Sequence, residues 1–339
     1  DGCDAEHRVY AVGRATPPAT AERLLQSAHT AFDSGIAPTA TIAAALALTA
    51  AAAALRPTTA LIVDHQLQQD SAEVARTARA QALTVGCVAA RILRVEVGAV
   101  GGPEAAARSA RYAALDEARA GAAVLLAHTL DDQAETVLLG LGRGSGPRSI
   151  AGMRSYDPPW GRPLLGVRRA VTAAACAELQ LTPWSDPHNT DARFTRVRLR
   201  TEVLPLLEDV LGGGVAEALA RTADALRADG EVLDVLAAQV LDLARRADGL
   251  AVAELTEVAP AVRRRVLRAW LLAGGARGLT DRHIRGVEAL VSAWHGQGGV
   301  AVPGSRPGHR LFARREAGML TLHIEPVRRT ASAGPQLPG

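Results

Sequence analysis

Apolar and polar positions alternate along the first part of the chain with two different periods. Short apolar runs rich in β-branched residues indicate buried strands, and the longer segments between them have the period of amphipathic helices. The strand-like runs are Thr58–His65, Cys87–Val97 and Ala122–His128, and the helical segments are Ser71–Gly86, Pro103–Gly121 and Asp131–Gly142. Strands and helices that alternate at this length predict a doubly wound α/β fold with a parallel sheet and right-handed crossovers.

The pattern changes after Pro205. Residues 214–296 contain only helical patterns, and the stretch from Gly298 to Ile324 alternates like the strands of a short hairpin. Three glycines within Leu211–Val215 break the helical pattern and indicate a domain boundary. The predicted organisation is a flexible N-terminus (1–20), an α/β domain (21–210), an all-helical domain (211–300), a hairpin-like segment (301–327) and a disordered tail (328–339).

All 38 basic residues are arginine, so arginine has to make every cationic contact of a side chain. The net charge of +3 does not by itself indicate a nucleic-acid partner. Three scattered cysteines (Cys3, Cys87 and Cys176) lack the CxxC spacing of a zinc or redox site and favour reduced thiols. No apolar run is both long and uncharged enough to span a bilayer, so we expect a cytoplasmic protein without a membrane partner.

The stretch VLLAHTLDDQAETVLLGLGRGSG, from Val124 to Gly146, ends an apolar strand in a cluster of titratable residues. Ligands of a parallel α/β sheet bind beyond the carboxyl ends of its strands, where His128 is expected. Asp131 and Asp132 follow in the first turn of a helix, and His128, Asp132 and Glu135 share one face if that helix begins early. This face can bind Mg²⁺, orient a nucleotide or transfer protons. Alternatively, the two aspartates only cap the helix and Glu135 is solvated.

Four stretches together resemble one enzyme family. AHTLDDQAETVLLGLGRGSGPRSIAGM, from Ala127, is similar to the HxxDDQxET…RGSG signature of tRNA(Ile)-lysidine synthases, members of the PP-loop ATP pyrophosphatase superfamily. The other three agree with that family in order and spacing: IVDHQLQQDSAEVA, PEAAARSARYAAL and DPHNTDARFTRVRLRTEVLPLL. The resemblance is of the actinobacterial type and covers Pro57–Leu207 closely. It implies a Rossmann-like, adenine nucleotide alpha hydrolase-like fold.

The resemblance also implies a reaction. The family adenylates the C2 oxygen of the wobble cytidine, C34, in the tRNA(Ile) with a CAU anticodon. Free lysine then displaces AMP, and lysidine, AMP and diphosphate are the products. ATP and Mg²⁺ are the implied cofactors, and the implied partners are this tRNA, free L-lysine and, as an option, a second copy of the chain in a homodimer. The implied catalytic residues are His128, Asp131, Asp132 and Glu135; the nucleotide contacts are His65, Arg108 and Arg111; and Asp132 is the candidate Mg²⁺ ligand.

One part of the family pattern is missing. The family carries SGGxDS after its first strand, where glycine amides and hydroxyls bind the pyrophosphate. Counting back from Pro57 places this nucleotide-binding register at Ala40, Thr41, Ile42, Ala43, Ala44 and Ala45. None of these is glycine, serine or aspartate, and an alanine-rich helix from about Thr39 to Arg56 is the simpler prediction. Three explanations stay open: lost ATP hydrolysis with a retained tRNA-binding shell, a local alteration in an active enzyme, or a substitute element such as Phe32–Ala37.

Arginines in the segment RFTRVRLR, Arg193–Arg200, are candidates for RNA contacts. Arg196, Arg198 and Arg200 share one face if the segment is a strand and fan out if it is a helix; both arrangements can contact phosphates. Together with Arg143, beside the glycine-rich loop, they are the predicted tRNA-binding residues. The alternative is a solvated charged edge.

The leading hypothesis is an ATP-dependent ligase that forms lysidine in tRNA(Ile). One alternative is a catalytically impaired PP-loop homologue that only binds tRNA. A tRNA-thiolating PP-loop enzyme is disfavoured, because this chemistry uses paired reactive cysteines and neither Cys87 nor Cys176 has a CxxC partner. A metal-dependent hydrolase that uses His128 and Asp132 would leave the arginine segment unexplained.

Overall fold

The computed structural model of the chain describes residues 9–13, 41–66, 70–98, 103–144, 146–183, 193–304 and 309–326. Contacts divide the chain into two compact units, which consist of Asp1–Arg143 with Ser149–Asp224 and of Gly144–Arg148 with Ala225–Gly339. The division falls inside a long helix, whereas the predicted boundary at Leu211–Val215 lies in the loop before that helix and stays a prediction. The proposed loop substitute (32–37), the DPHNTD stretch (186–191) and the tail (328–339) lie outside the described residues.

The first unit is built on a six-stranded sheet with the order β3-β2-β1-β4-β6-β5. Its strands are β1 (Val9–Gly13), β2 (Thr59–Asp64), β3 (Ala89–Arg94), β4 (Ala123–Leu125), β5 (Tyr156–Asp157) and β6 (Trp160–Gly161). Strands β2 and β3 pair in parallel, and so do β4 and β6. Because β1 is antiparallel to both β2 and β4, those two strands run the same way. The carboxyl ends of β2, β3, β4 and β6 therefore lie at one edge of the sheet.

Strand β1 corrects two predictions. The sequence pattern predicts a flexible terminus for residues 1–20 and an all-parallel sheet, and both are wrong at Val9–Gly13. This segment is a central strand, in which Ala11 lies opposite Ala60 on one side and Leu125 on the other. Without it, the facing edges of β2 and β4 would leave backbone N–H and C=O groups unpaired inside the sheet. A second exception to the parallel pattern is β5, which pairs antiparallel with β6.

Along the chain, helices lie between the strands of this sheet as the pattern predicts, and further helices follow the last strand; the α/β fold class is confirmed. They are α1 (Thr41–Leu55), α2 (Ser71–Thr84), α3 (Pro103–Ala118), α4 (Leu130–Gly142), the short α5 (Pro147–Ile150), α6 (Arg169–Glu178), α7 (Thr195–Arg198) and α8 (Leu204–Val210). A π-helical turn, Leu199–Val203, joins α7 to α8. The RFTRVRLR segment is therefore helical, and the strand alternative for its arginines is wrong.

Helix α1 confirms the predicted alanine-rich helix, and its small side chains pack closely on several sides. Ala43, Ala44 and Ala45 each belong to a different apolar cluster. The N-terminal part of α1 packs near Ala127, just after β4, and Ala53 near its C-terminus faces Gly86, just before β3. Helix α1 thus runs antiparallel to the strands, and its N-terminus lies at their carboxyl edge.

The second unit packs helices against an antiparallel sheet with the order β7-β8-β11-β10-β9. The long helix α9 (Val215–Ala244) leads into it. It also contains α10 (Ala253–Thr256), α11 (Pro260–Ala273), α12 (Asp281–Ser292), β7 (Arg245–Arg246), β8 (Gly249–Ala251), β9 (Val300–Val302), β10 (His309–Glu316) and β11 (Met319–Pro326). The largest fully buried side chains of its core are Leu250, Leu255, Leu267, Leu271, Leu290 and Leu320. No helix among the described residues is long and apolar enough to cross a membrane.

Two short strands correct the prediction of purely helical patterns between residues 214 and 296. Strands β7 and β8 form a hairpin in which Arg246 pairs with Gly249, so that Ala247 and Asp248 make a two-residue turn. A side chain at Gly249 would lie 1.9 Å from the Leu320 carbonyl oxygen, so this close approach requires glycine. The hairpin pattern near the C-terminus is confirmed by the antiparallel pairing of β10 with β11.

Candidate active site

The two histidines that end apolar runs both lie at the carboxyl edge of the sheet, where the sequence places them. His65 follows β2 and His128 follows β4, and both side chains are buried. Arg111 on α3 is also buried, and its Nε donates to Nε2 of His65 over 3.3 Å. The imidazole therefore accepts at Nε2, and helix α3 is tied to the end of β2.

The other predicted arginine of α3 has a different environment. Arg108 is exposed, and its guanidinium lies 5.0 Å from the centre of the Tyr112 ring. Tyr112 in turn packs edge-on against Trp160, with 4.7 Å between the ring centres. Of the two predicted nucleotide contacts, Arg111 is held inside the fold and Arg108 lies on the surface of α3.

Helix α4 begins with a capping box. Thr129 is the N-cap, and its side-chain oxygen accepts from the backbone N–H of Asp132. The carboxylate of Asp132 reaches back, and its Oδ2 accepts from the Thr129 N–H at 2.7 Å and from the Thr129 hydroxyl at 2.6 Å. These bonds satisfy amides that the first turn leaves open. Both aspartates lie in that first turn as predicted, whereas His128 precedes the helix.

Arg169, at the start of α6, holds the acids of α4 together. Its backbone N–H donates to Oδ2 of Asp131 at 2.7 Å, and its guanidinium donates to Oδ1 of Asp132 at 2.8 Å. The same guanidinium lies 3.4 Å from Oε1 of Glu135. Arg169 is not among the site residues predicted from the sequence. Its signal is the pair Arg168–Arg169 directly after the apolar PLLGV, because an arginine in a buried segment requires carboxylate partners.

Arg168 points to a second group of acids. Its guanidinium lies 3.4 Å from Asp131, 3.4 Å from Glu208 and 3.1 Å from Glu217. Glu208 also accepts from the backbone N–H of Val215, which lowers the pKa of this carboxyl below its ordinary value, and Arg168 adds to the effect. Arg168 therefore connects the start of α6 to the start of α9.

Glu135 is fully buried and is the centre of the cluster, so the alternative of a solvated Glu135 is wrong. Arg200 approaches it with two nitrogens, Nε at 2.9 Å from Oε1 and Nη2 at 3.3 Å from Oε2. Arg196 contacts it more weakly, with 3.6 Å between Nη1 and Oε2. Two predicted tRNA-binding arginines thus converge on a predicted catalytic acid.

The remaining two predicted tRNA-binding arginines lie elsewhere. Arg198 is on the opposite side of its helix, is exposed, and pairs with Glu202 at 2.9 Å. Arg143 caps the C-terminal end of α4 and is exposed, about 12 Å along the helix axis from Glu135. The structure therefore brings Arg196 and Arg200 to the acids but not Arg143 or Arg198.

Gln133 of the same motif fixes the segment that returns from the glycine-rich loop. Its buried side-chain amide accepts from the Met153 N–H at 2.7 Å and donates to the Met153 carbonyl at 2.9 Å. Gly152 has a φ of +62°, and a Cβ there would lie 2.6 Å from the Gln133 amide oxygen. The glycine permits both the left-handed backbone and the close contact.

Comparisons with known proteins agree with this arrangement. Residues 26–207 match the PP-loop domain, and residues 250–321 match the TilS substrate binding domain. The tRNA(Ile)-lysidine synthases of Mycobacterium bovis and Mycobacterium tuberculosis are 71% identical to the chain over 286 residues, which cover 83% of this chain and 88% of theirs. The enzyme of Mycobacterium leprae is 66% identical over the same shares. The chain belongs to the tRNA(Ile)-lysidine synthase family.

This assignment confirms the family and the function predicted from the four motifs, and nothing in it favours the alternatives. A solved structure, the U34-tRNA thiolase NcsA from Methanococcus maripaludis with its [4Fe-4S] cluster, is also similar, with a TM-score of 0.45 and 14% identity over 61% of this chain and 78% of that one. A likeness at this level adds nothing to the assignment. Burial raises the pKa of Cys87, and it raises the pKa of Cys176 to about 11, so neither thiol suits the nucleophilic chemistry of thiolation.

Lysidine synthases, as PP-loop enzymes, use ATP, and residues 41–45 of the register predicted for their phosphate loop lie in helix α1. Ala43, Ala44 and Ala45 are at most 1% exposed there, and the Ala43 carbonyl accepts from the Cys176 thiol at 3.2 Å. The helix N-terminus at the carboxyl edge attracts anions. These residues nevertheless offer no hydroxyl or carboxylate, so they do not fit a triphosphate as the family's SGGxDS loop does. The side chains of residues 40–42 lie outside the described part of the chain.

The acids of the lysidine-synthase motif do not fit Mg²⁺ in their present contacts. Both oxygens of Asp132 accept hydrogen bonds, from Thr129 and from Arg169, and Glu135 is contacted by Arg169 and Arg200. Among the described residues, no group of three or more His, Cys, Asp or Glu side chains could hold a metal ion. Coordination of Mg²⁺ by Asp132 stays a prediction, and it requires the contact with Arg169 to break.

Proposed function

We propose that the chain ligates L-lysine to C2 of the wobble cytidine, C34, of the tRNA(Ile) with a CAU anticodon and so forms lysidine. ATP supplies the activation, and AMP and diphosphate leave. The observation that supports the proposal most is the acid–arginine cluster at the start of α4. It joins residues of two lysidine-synthase motifs, the DDQAET stretch and the RxRxR stretch, at the carboxyl edge where an α/β sheet binds its ligands.

The three acids of the cluster divide between two tasks in this proposal. The Asp131 side chain is 17% exposed, whereas those of Asp132 and Glu135 are 7% and 0% exposed. An accessible carboxylate can attract the ammonium group of free lysine, so we assign that task to Asp131. The buried carboxylates of Asp132 and Glu135 fix the guanidinium groups of Arg169 and Arg200 and act as positioning residues.

The tRNA partner follows from membership of the family and from the match of residues 250–321 to a substrate binding domain. Lysine as the second substrate rests on the resemblance and on the accessible Asp131. The homodimer stays a prediction from the resemblance.

The test is AMP release from ATP by the full chain, with a CAU-anticodon tRNA(Ile) transcript and with or without lysine. Release that requires both the tRNA and lysine is the expected result. No release together with retained tRNA binding would contradict ligation and leave a tRNA-binding shell. Release that ignores the tRNA would contradict the proposed substrate.

The substitution Asp132→Asn removes the charge that Arg169 pairs with while it keeps the shape of the side chain. We expect AMP formation to be abolished and tRNA affinity to stay near that of the wild type, because the substitution leaves the predicted tRNA-binding arginines in place. The matched control is Asp116→Asn. Asp116 is an exposed aspartate near the C-terminus of α3, and it pairs with Arg119, which directly follows that helix. Unchanged turnover in Asp132→Asn would remove Asp132 from the site.

A further inference from the structure

The three alternating arginines of the RFTRVRLR segment have different surroundings, and only one of them suits a transient ligand. We infer that Arg196 binds an anionic phosphate oxygen of the tRNA, that Arg200 instead positions Glu135, and that Arg198 takes no part. This inference rests on the proposed function, because the tRNA is the RNA that it names.

The helix geometry separates the three residues first. Arg196 and Arg200 are four positions apart and project from one side, towards α4, whereas Arg198 lies about 200° around the helix axis from Arg196. The contacts agree with this, since Arg196 and Arg200 both reach Glu135 and Arg198 reaches Glu202. One RNA phosphate therefore cannot contact Arg196 and Arg198 from the same direction.

The competition for Glu135 separates Arg196 from Arg200. Glu135 has one negative charge and two oxygens, and Arg200 contacts both oxygens in a fork at 2.9 and 3.3 Å. Arg169 contacts Oε1 in addition. Arg196 comes third, at 3.6 Å from Oε2, and its other contact, to the Thr136 hydroxyl, is 3.5 Å long. Charge-assisted hydrogen bonds of normal strength measure about 2.7–2.9 Å, so the guanidinium of Arg196 is held only loosely.

Exposure points the same way. The Arg196 side chain is 24% exposed, compared with 13% for Arg200 and 7% for Arg169. A phosphate that approaches from solvent can reach Arg196 without displacing the buried contacts of the other two. The exchange loses two long contacts and gains a short bond to an anion, which favours binding.

Arg198 is more exposed than Arg196, yet its surroundings disfavour a phosphate. The hydrogen bond to Glu202 raises the pKa of Arg198, and the same bond lowers the pKa of Glu202, so both groups are charged at neutral pH. Three contacts of 2.9–3.2 Å join the pair. A phosphate at Arg198 would meet the carboxylate of Glu202 beside it, and the pair presents no net charge to attract the RNA.

The experiment measures equilibrium binding of the tRNA to the full chain at several salt concentrations, without ATP. Arg196→Gln is the test variant, Arg198→Gln is the discriminating variant, and Arg119→Gln is a control, because Arg119 is paired with Asp116 and lies outside the cluster. We expect Arg196→Gln to weaken binding about tenfold and to lower the slope of log K against log salt by about 0.7–0.9, the value for one phosphate. Arg198→Gln and Arg119→Gln should change neither quantity.

Each other outcome contradicts a defined statement. If the wild type binds the tRNA and Arg196→Gln has the same salt slope as the wild type, the inference about Arg196 is overturned and the proposed function is not. A loss in Arg198→Gln equal to that in Arg196→Gln overturns the distinction between the two residues. Absence of tRNA binding by the wild type overturns the proposed function and the inference together. Binding of ATP or lysine, measured without tRNA, should be the same in Arg196→Gln and wild type. A loss of that binding would show that Arg196 contacts an anionic group of ATP or lysine rather than a phosphate of the tRNA.

Discussion

Removing the charge of Glu135 is the sharpest perturbation of the cluster. Glutamine has nearly the same shape and keeps one carbonyl acceptor, so Glu135→Gln leaves the packing intact and removes only the negative charge. The guanidinium groups of Arg169 and Arg200, whose side chains are 7% and 13% exposed, then have the carboxylate of Asp132 as their common anionic partner.

The magnitude follows from the burial. Breaking a buried ion pair by removing one partner costs about 3–5 kcal/mol, because the remaining charge stays desolvated. The retained carbonyl acceptor places Glu135→Gln at the lower end, about 3 kcal/mol. For a unit of roughly 200 residues this corresponds to a fall in Tm of about 6–12 °C.

Thermal unfolding followed by circular dichroism measures this fall, and the wild-type chain is the reference. Glu202→Gln is the matched control. It makes the same chemical change, but Glu202 lies on the π-helical turn and its ion pair with Arg198 is exposed. We expect no measurable shift in the control. Equal Tm values for Glu135→Gln and Glu202→Gln would refute the view that the buried network stabilises the first unit.

Two further predictions test the surroundings of the cluster. In Gly140→Ala the new Cβ would lie 2.3 Å from the Ser149 carbonyl oxygen, so we expect destabilisation of about 1–3 kcal/mol in a denaturant titration. Gly142→Ala in the same helix meets nothing within 4 Å and should be neutral or slightly stabilising; a destabilisation of the same size in both variants would rule out the contact as the cause. The backbone N–H groups of Val215 and Ala216, and then Arg168, lower the pKa of Glu208. The stabilising effect of Glu208 is therefore complete above its ordinary pKa of 4.5 and is lost as the pH falls through the lower pKa of the folded state. Glu208→Gln should therefore flatten the fall in Tm below pH 4.5, and an equally steep fall would exclude a contribution from Glu208.

The regular elements of the first unit could be predicted because the residues of each element themselves show the pattern of a strand or a helix. The apolar run Thr58–His65 contains β2, and the helical segment 103–121 contains α3 with its proline at the first turn. Strand β1 could not be predicted in the same way. Its five residues are too few to stand out from a polar terminus, and its antiparallel direction is set by the two strands on either side.

The site was predictable in its residue types but not in its contacts. The sequence placed Asp131 and Asp132 in the first turn of a helix, and that placement is confirmed. The arginine partners of these acids lie 37 or more residues away along the chain, so no local pattern connects Arg169 or Arg200 with them. Spacing alone also treats Arg196, Arg198 and Arg200 as equivalent, whereas the helix directs them to opposite sides.

The π-helical turn at Leu199–Val203 has a consequence for insertions and deletions in this segment. Such a turn accommodates one residue more than an α-helix of the same length. Deleting one residue from 199–203 would restore a regular α-helical turn, and the residues before and after the turn would stay on the sides of the helix that they occupy now. Arg196 would then still face Glu135, whereas inserting a further residue would rotate Arg196 by about 100° relative to α8. We therefore expect the segment to tolerate the loss of one residue better than the gain of one.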